Sequence, residues 1–569
     1  MANKLIPTVE WKPSEIEKIK IESNFLRGTL VESFNDNTTG ALVHKDVQLV
    51  KFHGSYMQYD RDLDAERKQQ KLEPLYSFMI RVRVPGGVST SQQYLDIDKI
   101  ADTYGTNTIK LSTRQAYQIH GVLKRNFKKT IQALNATLLD SIATAGDVNR
   151  NVMSTNNEGL SPVVGEVSAF AKLISDHLLP KTHAFHEIWL DKKLVAGGEP
   201  EAEPIYGKTY LPRKFKIAIG IPPYNDVDLF SNDIGLIAIE KNGKLLGYNI
   251  GVGGGLGTSF SEPGTYPRLT DVIGYVPKEK ALQVVEEIMK IQRDNGNREN
   301  RRFSRTKYTL DRIGTPLFIS ELEVRLGSAL EPSRPYKFDS NTDVFGWKKA
   351  HSGKWFLGLF IENGRIKDEA DYKLKTGLKE IAKLHKCDFR LTGNQGLVLG
   401  NIEEKDKNLI DSIVNKFQIG THKKISALRR NSIACVALNT CPLAFAEAER
   451  YLPSLITKID AIMEKNGLAN DEILIRMTGC PNGCGRPFLG EIAFIGRSLG
   501  IYNMYLGANF TGERLNTLYK EQIDEAEILS ILEILLARYA KEREKGEKFG
   551  DFIIRKEIVK PSNSVKIAR

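Results

Sequence analysis

The chain has 569 residues, 41% of them hydrophobic and 27% charged, with a formal net charge of +11. That length exceeds one core, so roughly two to four soluble domains are expected. No run of about eighteen apolar residues marks a membrane span, and the opening MANKLIPTVEWKPSE lacks the apolar stretch of a secretory signal.

Five cysteines, four of them clustered, argue against a secreted disulfide framework and for a reducing, cytoplasmic setting. The basic balance asks for an anionic partner. Its lysines are spread along the chain, without zinc-finger spacing, an RNP signature or a basic arm, so an acidic ligand or an acidic protein is expected rather than nucleic acid.

Residues 1–77 read as an arm: ESNFLRG, a loop FNDNTTG, a short strand LVKFHG and the charged stretch DRDLDAERKQQKLEP. A strand FMIRVRV (78–84) follows, closed by Pro85-Gly86-Gly87. Next come a helix around DIDKIADTYG, a strand TIKLSTRQAYQIHG and a helix near 126–138. Alternating helix and strand indicates an α/β or α+β layer.

The same grammar returns in KWFLGLFIENG (354–364), the amphipathic helix LKTGLKEIAKLHK (374–386) and DFRLTGNQGLVLG (388–400). Leu374, Leu378, Ile381 and Leu384 share one helix face. Leu111 aligns with Leu391 and Gln115 with Gln395, an offset of 280 residues. Two copies imply pseudo-twofold symmetry, with room for a ligand between the halves. The organisation expected is an arm (1–77), duplicated halves (78–145 plus 345–420), an intervening domain (146–344) and a last domain (421–569).

The intervening domain holds a strand YLPRKFKIAIGIP (210–222), a glycine run GVGGGLG (251–257) and a helix KALQVVEEIMKIQRD (280–294). The glycine run lacks the G-x-G-x-x-G register and is read as a tight turn or a close backbone approach. The basic end, VKPSNSVKIAR, is read as a mobile tail.

Chemistry concentrates in two cysteine pairs, Cys435 and Cys441 in ACVALNTCPLAFAEAER and Cys480 and Cys484 in TGCPNGCGRP. Four thiolates spaced C-x5-C and C-x3-C among glycines and prolines suit an iron–sulfur cluster. Structural zinc and unliganded thiols remain alternatives, although C-x5-C is unusual for zinc. Pro442 is placed to open a helix whose positive end faces the Cys441 thiolate. Cys387 is read as a packed core thiol.

Cations cluster as well. Alternation puts Arg81 and Arg83 on one strand face, Lys214 and Lys216 on either side of Phe215, and Lys110, Ser112, Arg114, Gln118 and His120 together if their strand runs straight. Arg150 lies near a domain junction. Repetition on several strands points to an anion pocket, because an unpaired buried charge costs several kcal/mol.

With these motifs in view, the chain resembles the sirohaem-dependent sulfite and nitrite reductases, from ESNFLRG to residues 549–552. The resemblance implies an α+β fold: three domains with pseudo-twofold duplicated, ferredoxin-like modules around a sirohaem and a 4Fe–4S cluster. It implies that Cys435, Cys441, Cys480 and Cys484 bind the cluster and that Cys484 also ligates the sirohaem iron. Arg81, Arg150, Lys214 and Lys216 match the sulfite-binding positions, and Arg114, Gln118 and His120 match positions near the sirohaem carboxylates. Lys110 and Ser112 share their strand face, and Asn482 lies in the cluster loop.

The activity implied is six-electron reduction of sulfite to sulfide for cysteine biosynthesis. Electrons would come from NADPH through a partner flavoprotein carrying FAD and FMN, for which the arm offers a docking element. A ferredoxin-fed sulfite or nitrite reductase and a zinc-bound anion-binding module are the other readings. Nitrite reductases of this family often carry asparagine where Lys216 stands, so Lys216→Asn is expected to lower sulfite turnover more than nitrite turnover. Equal losses in steady-state assays on the two anions would count against the assignment.

Overall fold

The computed structural model describes residues 5–182, 184, 188–190, 193–196, 203–420 and 425–568. The domain boundary expected at residue 421 lies outside them.

The duplicated halves form two antiparallel sheets of matching order. The first runs Ser55–Tyr59, Tyr76–Arg81, Tyr117–Val122, Ile109–Leu111 and Arg365–Ile366. The second runs Gly346–Lys349, Trp355–Leu359, Leu397–Ile402, Asp388–Leu391 and Val88–Thr90. Each half thus lends its partner an edge strand: Ile366 pairs with Ile109, and Val88 with Arg390.

The offset of 280 residues recurs in the turns Lys124–Asn126 and Glu404–Asp406. Gln115 and Gln395 both take positive φ at the tips of equivalent hairpins. Gln115 Nε2 donates to the Ser154 carbonyl at 2.8 Å, and Gln395 Nε2 to the Ala434 carbonyl at 2.9 Å. The helices Ser91–Tyr104 and Leu374–Lys383 bury their apolar faces in one core shared by both halves, with Tyr94 stacked on Phe389 at 4.2 Å. Thr90 and Gln93 form a capping box at the start of the first of these helices.

A second duplication joins the remaining parts. The middle sheet contains Met153–Ser154, Ile217–Gly220, Ile234–Lys241, Lys244–Val252 and Asp271–Pro277 in spatial order. The last sheet contains Ser432–Ala434, Ile475–Thr478, Ile492–Ser498, Ile501–Leu506 and Thr517–Ile523 in the same order. In both, the first three strands are parallel and the rest antiparallel. The turns Leu229–Ser231 and Pro487–Leu489, 258 residues apart, bring Leu229 and Phe230 against Phe488 and Leu489 in a shared apolar cluster.

Asp228 and Arg486, each left-handed at the start of its turn, meet as an ion pair at 2.8 Å. Arg476 also binds the same buried carboxylate.

Several local expectations change. LVKFHG is the end of the helix His44–Leu49 and a turn, and the arm's strand is Ser55–Tyr59, an edge of the first sheet. TIKLSTRQAYQIHG is a hairpin of Ile109–Leu111 and Tyr117–Val122, because Gln115 at φ +50 reverses the chain. Only Ile217–Gly220 of YLPRKFKIAIGIP is strand, although Phe215 bridges Asn149 just before it.

Residues 441–451 form turns, and the helix starts at Leu452 with Pro453 in its first turn. The end of the chain is not a free tail, since Lys566–Ile567 adds to the middle sheet beside Asp271–Val272 and Leu515 donates to the Asn563 carbonyl at 3.0 Å.

Removing the Asp228 carboxylate strands two buried guanidiniums. Asp228→Ala is therefore expected to cost on the order of 3–5 kcal/mol, read as a lower midpoint of chemical unfolding; an unchanged midpoint would refute the role of this pair.

Candidate functional site: a thiol tetrad beside an anion pocket

Cys435 follows the strand Ser432–Ala434, with its N–H on the Met477 carbonyl at 3.2 Å. Thr155 makes the matching bond to Ile219 at 3.1 Å in the middle unit, so the tetrad is built on the second copy of a repeated frame. Cys480 and Cys484 lie in the turn after the strand Ile475–Thr478.

Glycines make this loop possible. A Cβ on Gly479 would fall 2.5 Å from the Ala446 carbonyl, one on Gly485 would fall 2.8 Å from the Met477 carbonyl, and Gly483 has φ +70. The glycine run of the middle unit backs the loop: Thr258 N–H donates to the Pro481 carbonyl at 2.9 Å, and a side chain on Gly254 would strike the Phe230 carbonyl at 2.3 Å. Close backbone approach is the reason for those glycines.

The sulfurs receive polar hydrogens: Gly479 N–H reaches Cys435 Sγ at 3.4 Å and Asn482 Nδ2 reaches Cys480 Sγ at 3.5 Å. Leu443 and Ala444 backbone N–H groups face the Cys441 sulfur from a turn rather than from a helix. Arg61 of the arm clamps that turn, with Nη1 on the Ala444 carbonyl at 2.5 Å.

Burial, then the charge of Cys484, pushes the Cys435 thiol well up and the Cys480 thiol to about 12. Four mutually repelling thiolates need a positive body among them, and coordinated metal supplies it. No group of three or more Cys, His, Asp or Glu side chains among the described residues closes around one ion. The C-x5-C spacing is unusual for structural zinc, so this donor set suits an iron–sulfur cluster better.

The cations converge beside Cys484, the exposed member of the tetrad. Its charge acts on Arg81, Lys214 and Lys216. Arg81 Nη1 and Arg150 Nη1 share the Thr144 carbonyl at 3.1 and 3.2 Å, and Arg150 also donates to the Gly146 carbonyl at 2.7 Å. Arg114 donates to Asn232 Oδ1 at 2.8 Å and to the Asn151 carbonyl at 2.5 Å, leaving Nε without a partner.

Among the described residues, none of Arg81, Arg114, Arg150, Lys214 and Lys216 has a carboxylate within ion-pair distance; the nearby Asp233 is taken by Arg305 at 2.7 Å. Burial, then neighbouring cations, lowers Lys214 to about 7, Lys216 well below its ordinary value and Arg114 to about 9. A dense positive pocket without internal anions is a receptacle for a polyanion, and the carboxylates of a sirohaem suit it.

Other expected residues divide. Gln118, with its amide oxygen toward Arg81, accepts at 2.8 and 3.0 Å. His120 is buried and, through burial and then Arg365, held neutral with a pKa of about 3, so it contributes no charge. Lys110 is taken by Glu449 at 2.8 Å and is not free for a ligand. Ser112 accepts the Arg114 N–H at 3.2 Å and shapes the hairpin tip. Arg83 leaves the pocket to bind Asp140 at 2.6 Å and Asp176 at 2.7 Å.

Sequence reasoning missed Tyr56, which lies between Arg81 and Arg150, as well as Arg486 and Thr113 Oγ1 on the Cys484 carbonyl at 2.8 Å. TGCPNGCGRP contained the signal for Arg486. A polar cavity of about 390 Å³ lined by Asp102, Asn107, Lys367, Asp368 and Lys375 shares no residue with this site.

Family models place these observations. The nitrite/sulfite reductase ferredoxin-like half domain matches residues 70–137 and 348–416, and the nitrite and sulphite reductase 4Fe-4S domain matches residues 169–330. The chain belongs to the nitrite and sulphite reductase family. It is 57% identical over 557 residues to a sulfite reductase [NADPH] hemoprotein beta-component of Anoxybacillus flavithermus, covering 98% of each chain. It is 54% identical over 561 residues to that of Bacillus subtilis, again covering 98% of each.

The solved structure of Mycobacterium tuberculosis NirA shares the fold with a TM-score of 0.77 at 22% identity, over 96% of this chain and 97% of that one. The 4Fe-4S model falls on the unit without cysteines, whereas the four clustered thiols occupy its repeat at 435–484.

Because Lys214 is held to about 7, its charge is present below that pH and lost above it. Sulfite affinity, read from visible spectral changes, is expected to fall as pH rises through about 7, and Lys214→Met to flatten that fall. An identical slope in the variant would exclude Lys214 as its source.

Proposed function

We propose that this chain reduces sulfite to sulfide with six electrons, as the haemoprotein component of an assimilatory sulfite reductase working in the cytoplasm. The observation that carries this reading is the position of Cys484, which belongs to the thiol tetrad and also acts electrostatically on Arg81, Lys214 and Lys216. With a cluster bound, this sulfur would link an electron store to an anion pocket.

Cys435, Cys441, Cys480 and Cys484 would hold a 4Fe–4S cluster, and Cys484 would also face the sirohaem iron. When bound, these groups would supply the one-electron transfers and the metal chemistry at which sulfite is reduced. Arg114 and Gln118 lie where they can support sirohaem carboxylates.

Arg81, Arg150, Lys214 and Lys216 hold the sulfite oxygens, with charged hydrogen bonds worth roughly 1.5–3 kcal/mol each. The arginines act by position and charge. Lys214, at about 7, can release a proton to an oxygen leaving as water and be recharged from solvent. The loop amides on Cys435 and Cys480 tune the charge of the tetrad.

The relatives' names pair an NADPH activity with a beta-component, which supports a separate flavoprotein as electron donor. The arm reaches both the pocket, through Tyr56, and the Cys441 turn, through Arg61, so a wrapping role accounts for it without excluding docking.

The test is purified holoprotein assayed for visible absorbance, iron, acid-labile sulfide and NADPH-driven sulfite reduction with and without flavoprotein. Coloured protein that turns over only with the flavoprotein is expected, and Cys484→Ser should lose turnover and the spectral coupling of the two groups. Colourless, iron-free protein from cells able to make both groups would overturn the proposal.

A further inference from the structure

Tyr56 enters the pocket from the edge strand that the arm adds to the first sheet, Ser55–Tyr59, opposite Met79. The Arg81 guanidinium lies 5.5 Å from its ring centroid, and its hydroxyl is 3.5 Å from Arg150 Nη1. Negative charge on Tyr56 favours the charged Arg81 guanidinium.

These two arginines repel each other, share the Thr144 carbonyl and lack a carboxylate partner among the described residues. Besides the Cys484 thiol, Tyr56 is the group acting on Arg81 that can become an anion. Arg81 and Arg150 thus flank a phenol on which Lys214 and Lys51 also act.

We propose that Tyr56 is the resident counter-anion of Arg81 and Arg150, a phenolate in the substrate-free pocket that accepts a proton when the sulfite dianion takes over its partners. The proposal rests on the sulfite reading above. The proton balance is simple: sulfite arrives with one proton from solvent, or bisulfite brings its own, and phenolate becomes phenol while sulfite remains a dianion. No electron moves in this step.

The phenol so formed accepts from Arg150 and has the Arg81 guanidinium near its ring, making it a positioning and proton-holding residue beside the reacting oxygens. It adds a second proton carrier to Lys214.

The electrostatics agree with the geometry. Burial alone would raise the phenol, but Arg150, Arg81, Lys214 and Lys51 outweigh it and bring Tyr56 down to about 7. Arg301, which feels the Tyr56 charge, is neutralised by Asp147 at 2.7 Å. A dianion among the same cations opposes the phenolate, so the phenol becomes harder to ionise when sulfite is bound.

The test is an ultraviolet pH titration of the holoprotein, as wild type minus Tyr56→Phe, with and without sulfite. A phenolate band rising through about pH 7 in the substrate-free difference and bleached by sulfite is expected. Calorimetry in buffers of different ionisation enthalpy should show proton uptake on sulfite binding that changes in Tyr56→Phe. Lys51→Met, which removes one cation outside the substrate-binding set, should move the band to higher pH.

Absence of a phenolate band below about pH 9, near the ordinary range of tyrosine, overturns the proposal, as does a band that sulfite leaves intact. Failure of sulfite to perturb the visible spectrum at any concentration marks failure of the sulfite reading and takes the proton-uptake step with it. The substrate-free titration distinguishes these two failures.

Discussion

Positive charge without internal compensation governs the centre of this molecule. Arg81, Arg114, Arg150, Lys214 and Lys216 come from four separate stretches of chain, and the arginine side chains bond to carbonyl, amide and hydroxyl oxygens rather than to carboxylates. Other cations are paired, Arg83 with Asp140, Arg305 with Asp233 and Lys110 with Glu449, although the buried Lys307 close by also binds only carbonyls. The contrast identifies the pocket as a place where the balancing charge comes from outside. Bringing these groups together costs free energy, which the packed sheets around them must supply.

Two nested duplications build that frame. The ferredoxin-like halves exchange edge strands and share one apolar core, so neither half closes its sheet alone. The middle and last units repeat another sheet, and their symmetry is broken at its most useful point: Thr155 in one copy stands where Cys435 stands in the other, on the same backbone bond. One copy specialises in sulfur and the other in cations. Asp228 and Arg486 join the two at equivalent turns, so the residue that fixes the cysteine loop is held by its own structural counterpart.

Much of the site was readable because sulfur and charge are conspicuous in a linear text. The two cysteine pairs and the glycines around them are conspicuous in this way, and Phe215 does bridge Asn149 between its flanking lysines although the regular strand starts only at Ile217. Where a local pattern misled, a longer-range interaction had prevailed. The helix expected after Pro442 is replaced by turns because Arg61 and Gly479 claim the backbone of residues 444–446. Arg83 shares alternation with Arg81, yet Asp140 and Asp176 draw it away. The first duplication showed as an offset of 280, but the second left no comparable trace because its packing tolerates different residues on the same frame.

The amino-acid sequence by itself determined the donor chemistry, the excess of cations and the alternating layers, since these depend on residue type and short spacing. Tertiary structure alone decided which cations lose their partners, that Cys484 lies within electrostatic reach of three of them, and that a tyrosine from the arm sits between two arginines. Those outcomes depend on distances between segments hundreds of residues apart, and only the closed sheets and shared cores set such distances.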